Sequence, residues 1–535
     1  MYSHATSILF LAIFFLPFFS SLAAPNNDTS TGSDVDHEIY QWCAETPHPD
    51  ACINYFTNKT LPYIPKEQSD FFRLSLQFTL RAADRAQSHL KRLGPYCNST
   101  SELTALLDCW KLYANAVLQL NRTLNGSCTH IDSQTWLSAA LTSVATCRKG
   151  FADLDASDSV ISPVMSYNVS DLISNLLAVN KAYNSTNNST SGAGGKRKLN
   201  WMKAGHRKLL QLSALQANLV VAQDGSGNYG TILDAINAAA AKISGMSRNG
   251  HFVIYIKAGV YSENVQIVNS LTNLVLVGDG IGRTVITGSR SVSSGFTTFS
   301  SATFSVLGNG FMATGITFRN TFGPTSQAVA MLSGSDQSIF YKCSFEGYQD
   351  TLSTFSQRQF YRECDIYGTV DFIFGNAAAV FQKCNIYTRI PVPGQANVIT
   401  AQGRSDPNQN TGIVIQSSNI KAAPEFWPIH RTVKSFLGRP WQQYSRTIFV
   451  RNYIDSIIDP DGWTPTDQSF LNTLYFAEYG NSGPGSRLSL RVKWPGYHIV
   501  ARPFIIQQFT ASRFIAGRVW IPATGVPFDP VFKNN

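Results

Sequence analysis

Residues 338–386 read SIFYKCSFEGYQDTLSTFSQRQFYRECDIYGTVDFIFGNAAAVFQKCNI. Within this stretch Cys343-Ser344-Phe345, Cys364-Asp365-Ile366 and Cys384-Asn385-Ile386 look alike, and Ser418-Asn419-Ile420 repeats the pattern further on. The cysteines recur after 21 and then 20 residues. A period near 20 with one apolar strand set per repeat points to a solenoid, here a parallel β-helix. Coils of such a helix stack ~4.8 Å apart. Equivalent positions in adjacent coils then fall in the ~4.4–6.8 Å window of Cα separation that a disulfide needs. Cys364 is therefore within bridging reach of Cys384 or of Cys343, with Cys364–Cys384 the expected pair. A β-sandwich could use similar strands, but it does not explain the spacing.

Other short β-rich runs lie on both sides, at 252–256, 274–277, 315–318 and 413–420. No strong, long amphipathic helix is found after about residue 243. The front half has a different period. Phe72, Leu76, Leu80 and Ala83 recur at helical spacing, as do Leu103, Leu106, Leu107, Trp110, Ala114 and Val117. Leu137, Ala140, Leu141, Val144 and Cys147 form a third set, and Leu172, Leu176 and Val179 a fourth. Four such segments predict an antiparallel four-helix bundle. Cys43 and Cys52 flank two prolines and suit a pinned N-terminal hairpin. Cys109 and Cys147 lie on apolar stripes of facing helices and suit a cross-helix bridge. Cys97 and Cys128 remain as a third candidate pair.

The solenoid period also organises chemistry. Asp350 and Asp371 are 21 residues apart, so they fall in adjacent coils on one outer face. Two carboxylates held that close cannot both ionise freely, so one becomes a proton donor while the other stays charged. Arg439 is the candidate that keeps one of them ionised. Gln327 and Gln349, 22 residues apart, would also stack and offer amide donors to a developing oxyanion. Trp441 offers an aromatic plate for a sugar ring. A stacked Asp pair in a β-helix suits a Ca²⁺ site or a turn cap as well, so these residues alone leave that choice open.

Composition bounds the function. The 535 residues are 44% hydrophobic and 12% aromatic, which excludes a disordered chain. Charged residues are 14%, against about 25% for an average soluble protein. The net charge of +9 is uneven: residues 196–208 carry six basic and no acidic side chains. The apolar run from Ile8 to Phe19, followed by small residues, reads as a secretory signal peptide at residues 1–23. It is shorter than the ~20 residues of a membrane span, and no later segment is long enough to span either. Asn27, Asn58, Asn98, Asn121, Asn125, Asn168, Asn184, Asn187 and Asn188 begin glycosylation sequons, and none follows residue 211. The connector at 186–210 carries Lys196-Arg197-Lys198-Leu199 and Arg207-Lys208-Leu209-Leu210, which suit a processing protease. The expected layout is thus a leader, a helical domain at 37–185, the basic linker, and a β-helix at 211–535.

Several classes drop out. Gly278-Asp279-Gly280-Ile281-Gly282 lacks the βαβ setting of a phosphate loop. No G-x-S-x-G elbow supports a serine esterase, and no HExxH or paired CxxC supports a zinc site. Nucleic acid does not suit a secreted, glycosylated chain.

Five motifs in order resemble the plant pectin methylesterases. They are Gly259-Val260-Tyr261-Ser262-Glu263, Gln327-Ala328-Val329-Ala330, Gln349-Asp350-Thr351-Leu352, Asp371-Phe372-Ile373-Phe374-Gly375 and Leu437-Gly438-Arg439-Pro440-Trp441. The front half resembles the plant invertase and pectin methylesterase inhibitor family. There the carriers are Cys43-x8-Cys52, an Asp108-Cys109 helix start and the Leu137–Leu141 helix ending in Thr146-Cys147. The resemblance implies a right-handed parallel β-helix and a secreted, cell-wall esterase that acts on methyl-esterified pectin without metal or cofactor. It implies Asp371 as nucleophile, Asp350 as general acid and base, and Gln327 and Gln349 as stabilisers of the tetrahedral anion. Arg439 would hold Asp371, while Thr297 and Trp441 would contact the sugar. The helical domain reads either as a binding or inhibitory domain, which could inhibit its own back half before cleavage, or as a folding chaperone for that half, and a separate proteinaceous inhibitor is a further expected partner. A polyuronate lyase and a non-enzymatic inhibitor or wall-binding protein are the alternatives. The Gln-Asp, Asp and Arg set fits ester hydrolysis better than either.

Overall fold

The computed structural model describes residues 33–57, 63, 65–125, 128–190, 217–243 and 250–532. The expected leader and the two basic tetrapeptides lie outside the described residues, as do Asn27, Asn58 and the side chains of Asn184, Asn187 and Asn188. Of the remaining sequon residues, Asn98, Asn125 and Asn168 are exposed and Asn121 is half-buried.

From Leu219 the chain winds through three sheets of eleven, eight and seven strands, in which every strand pairs in parallel with the next coil. One coil consists of Ser338–Tyr341, Ser344–Glu346 and Leu352–Thr354. The next consists of Arg358–Arg362, Asp365–Gly368 and Ile373–Gly375. In-register pairing stacks like on like. Phe340 lies over Tyr361 and Tyr361 over Phe381, with ring centroids 4.9 and 4.3 Å apart and planes within 10°. The buried Tyr361 hydroxyl is satisfied by donating to Gln359 Oε1 at 2.7 Å.

The period legible in the sequence is the corner between the first two sheets. Lys342, Glu363, Lys383, Ser417 and Arg451 all have positive φ, each one residue before Cys343, Cys364, Cys384, Ser418 and Asn452. A left-handed residue there breaks the strand and redirects the chain.

Those corners also correct the disulfide expectation. Cys343, Cys364 and Cys384 are buried and unpaired, so the expected Cys364–Cys384 bridge is not formed. Equivalent corners launch their side chains in one direction, so the sulfurs run parallel into the core. A bridge needs converging Cβ vectors as well as the right Cα distance. Instead Cys364 Sγ donates to Phe340 O at 3.3 Å and Cys384 Sγ to Tyr361 O at 3.8 Å.

The front half is helical: α1 (Ser33–Ala44), α2 (Pro49–Thr57), α3 (Gln68–Leu90), α4 (Thr100–Asn125), α5 (His130–Asp153), α6 (Ser162–Met165) and α7 (Val169–Thr190). A disulfide joins Cys43 to Cys52 and pins α1 to α2, whose apolar faces pack on Phe71, Leu74 and Phe78 of α3. A second joins Cys109 of α4 to Cys147 of α5, with Cα atoms 4.4 Å apart. Small residues at Ala105, Ala116 and Ala140 allow that close approach. Asp108-Cys109 is mid-helix and not a helix start, and α5 continues past Cys147 to Asp153. Cys97 and Cys128 are both unpaired. They flank opposite ends of the 26-residue α4, which at 1.5 Å per residue is about 39 Å long, so no bridge can form.

The two halves share one apolar cluster. Phe299, Val329, Leu332, Phe355 and Phe374 of the β-helix belong with Leu112, Ala140 and Val144 of the bundle. α5 lies along this face. Its N-terminal end, closed by a Thr129–Asp132 capping box, presents Asp132 to Arg358 at 2.8 Å. Midway, Thr142 Oγ1 accepts from Asn376 Nδ2 at 2.9 Å. At its C-terminal end Asp153 accepts from the Thr298 N–H at 2.9 Å. Among the described residues no helix is long and apolar enough to cross a membrane.

Two stability outcomes follow from this packing. Thiol titration of the unreduced, denatured chain should find five thiols, the count left by two disulfides among nine cysteines. A Cys364–Cys384 bridge would lower it to three. Near the far end of the β-helix, Glu478 and Arg491 are a fully buried pair 2.8 Å apart, and Tyr497 donates to the same carboxylate at 3.0 Å. Glu478→Ala leaves the guanidinium buried without its partner and should cost about 3–5 kcal/mol, read from the urea midpoint.

Candidate active site

Asp350 and Asp371 occupy equivalent corners of adjacent coils. The pairing of Leu352 with Ile373 places each two residues before a matched strand position. Both have positive φ, 61° and 51°, a conformation that aspartate adopts more readily than branched residues. Their carboxylates line a cavity of about 280 Å³ together with Gln327, Gln349, Thr297, Arg439 and Trp441. The sequence-derived candidates are thus all brought together.

Arg439 reaches this corner from two coils away. Phe374 pairs with Ala401, and Ala401 with Arg439. The small Ala401 leaves room for the guanidinium to reach back. Its Nε donates to Asp371 Oδ1 at 2.8 Å and its Nη2 to Asp371 Oδ2 at 2.6 Å, a bidentate pair. Trp441 lies edge-on to Phe374, with centroids 6.0 Å apart. It settles over Gly403, where a Cβ would sit 2.6 Å from Trp441 Cε3. The two glutamines lie side by side in adjacent coils, as their spacing suggested. The Ala328 N–H donates to Gln349 O at 3.2 Å, and because a parallel ladder bonds each N–H to the carbonyl one residue before its partner, Ala328 faces Asp350 and Gln327 faces Gln349. Both side chains line the cavity.

The electrostatics separate the two carboxylates. Burial pushes the Asp350 carboxyl well above the usual carboxylate range, and the neighbouring Asp371 and Asp153 charges push it the same way. Burial also raises Asp371, and the Arg439 guanidinium offsets part of that rise. Asp371 therefore ionises first and Asp350 keeps the proton, the division of labour that acid and nucleophile require.

The far wall of the cavity is the helical half. Asp108 of α4 and Lys149, Gly150 and Asp153 of α5 close it. Thr297 is 1% exposed, and its hydroxyl donates to Asp108 Oδ2 at 2.6 Å. Sequence reading missed Lys149 and Asp153, and it noted Asp108 only beside a cysteine. No local pattern encodes a contact made 145 to 189 residues away. It also missed the buried Asp336–Arg358 pair, 2.8 Å apart, which Trp136 of α5 joins through its Nε1 at 3.0 Å.

A family model described as Pectinesterase matches residues 218–518, more than half of the chain. The chain belongs to the pectinesterase family. A second model, plant invertase/pectin methylesterase inhibitor, matches residues 37–179. Pectinesterase 2 of Citrus sinensis is 53% identical, over 92% of this chain and 94% of its own. Probable pectinesterase/pectinesterase inhibitor 17 of Arabidopsis thaliana is 51% identical over the same shares. Among solved structures, the pectin methylesterase from carrot is 48% identical and superposes with a TM-score of 0.58, covering 60% of this chain and 99% of that one. The carrot match supports the parallel β-helix as the fold of this pectinesterase half. The bundle that closes its cleft is the inhibitor-like region.

Gly403→Ala tests the seating of the tryptophan. The added methyl should displace Trp441 while leaving the fold intact, which near-UV circular dichroism of the full chain would register as a change in the indole bands.

Proposed function

We propose that this family member is secreted to the cell wall, where it hydrolyses methyl esters of galacturonate units in pectin. The observation that carries this reading is the pairing of an Arg-held Asp371 with a proton-retaining Asp350 in one cavity. Asp371 attacks the ester carbonyl carbon. The Gln327 and Gln349 amides take the oxyanion. The bond to the methoxy oxygen breaks as Asp350 protonates the departing methanol, leaving an anhydride between Asp371 and the uronate. Asp350, now a carboxylate, takes a proton from water, whose oxygen attacks the uronate carbon. Asp371 leaves as a carboxylate, the new uronic acid ionises, and one proton is released per ester.

The helical half, proposed at residues 37–185, holds the enzyme silent by filling the cleft. Cutting the basic linker at 186–210 separates it covalently from the catalytic unit at 211–535. The leader, the sequons and the two disulfides support passage through an oxidising secretory route.

Methanol release from highly methylated pectin, measured on chain cut within the linker and diluted until the two pieces part, tests the chemistry. Asp371→Ala should abolish it. Arg439→Ala removes the positive charge that favours the Asp371 carboxylate, so its pKa rises further. The acidic limb of the pH profile then moves to higher pH. An unshifted limb would show that Arg439 does not set the charge of Asp371.

A further inference from the structure

The helical half does more than cover the cleft. It places two carboxylates in it, and both are all but buried. The Asp108 and Asp153 side chains are 5% and 3% exposed. Burying a carboxylate is costly unless donors meet it. Here the β-helix supplies one donor to each: the Thr297 hydroxyl at 2.6 Å and the Thr298 N–H at 2.9 Å. Each carboxylate also carries its own counter-ion on its own helix, Lys111 at 3.3 Å and Lys149 at 2.7 Å. Gly150 lets α5 come this close, since a Cβ there would already lie 3.2 Å from Thr297 Cγ2.

On the β-helix side these are adjacent donors, set in the cavity that also holds Asp350 and Asp371. Asp153 is close enough to the dyad for its charge to act on Asp350. With the helices gone, the donors face the groove that receives the polymer. An acidic sugar carboxylate presents the same two oxygens and the same charge as an aspartate. A methyl ester lacks the charge and makes the weaker hydrogen bond.

Resting on the esterase reading above, we propose that the helical half inhibits as a mimic of the de-esterified product. Asp108 and Asp153 stand where carboxylates of an unesterified uronate chain bind. Polyuronate and helical half therefore compete for Thr297 and Thr298, and by linkage each weakens the hold of the other. The first product formed would then loosen the inhibitor from further enzyme.

The experiment uses the full chain carrying a specific protease site in its linker, cut in place. Size-exclusion chromatography with light scattering measures the apparent Kd between the two pieces. A hexamer of unesterified galacturonate, at a concentration that saturates the cleft, should raise that Kd at least tenfold. The same hexamer with its carboxyls converted to primary amides, which the esterase cannot turn over, should change it less than twofold. Asp108→Asn and Asp153→Asn keep the shape and remove the charge, and each should weaken the hold about tenfold. Equal effects of both hexamers, no effect of either, or pieces that part without any hexamer would each overturn the proposal. Methanol release by the same cut chain, diluted far below that Kd so that the pieces have parted, reports the esterase reading separately, so a loss there with charge-selective competition intact would implicate that reading and not this one.

Discussion

In-register stacking of parallel coils is the constraint on which the rest depends. Strands spaced about 4.8 Å apart put each residue over its counterpart one coil earlier. In the interior this builds the Phe340–Tyr361–Phe381 column, whose rings cover one another. At the surface it sets Asp350 beside Asp371, through the same register that pairs Leu352 with Ile373. A core device and a catalytic device are thus one geometric fact seen from two sides. The strained corner conformation of both aspartates is kept because the strands on either side are fixed by their neighbours.

Two neighbouring carboxylates would not by themselves divide their roles. The asymmetry comes from the third sheet, which carries Arg439 past Ala401 to one member of the pair only. A small residue in the intervening coil is as necessary as the arginine, because a larger one would fill the path. Gly403 does the same for Trp441. The site is therefore built as much from absent side-chain atoms as from present ones.

The helical half is docked by apolar packing and by charge. The shared cluster around Phe299, Phe355 and Phe374 supplies non-directional adhesion. The polar contacts at both ends of α5 fix its placement: Asp132 on Arg358 at one end and Asp153 on Thr298 at the other. Helix α5 is closed at its start by its own capping box and is stapled to α4 by a disulfide. It meets the cleft as a rigid rod, so little ordering is lost on docking.

The sequence by itself determined the periods: near 20 in the back half, helical in the front, and a 21-residue offset between two aspartates. Period is legible because the spacing of corners and apolar positions is written locally, residue by residue. It was enough to find the β-helix, the bundle and the carboxylate pair. The tertiary structure alone decided direction and distance. It showed Cys364 and Cys384 parallel and unbridged, where spacing allowed a bond. It placed Asp108 and Asp153 on Thr297 and Thr298, across nearly the whole interval between the two halves. Those facts depend on where side-chain vectors point and on how two folded surfaces fit, and a one-dimensional pattern carries neither.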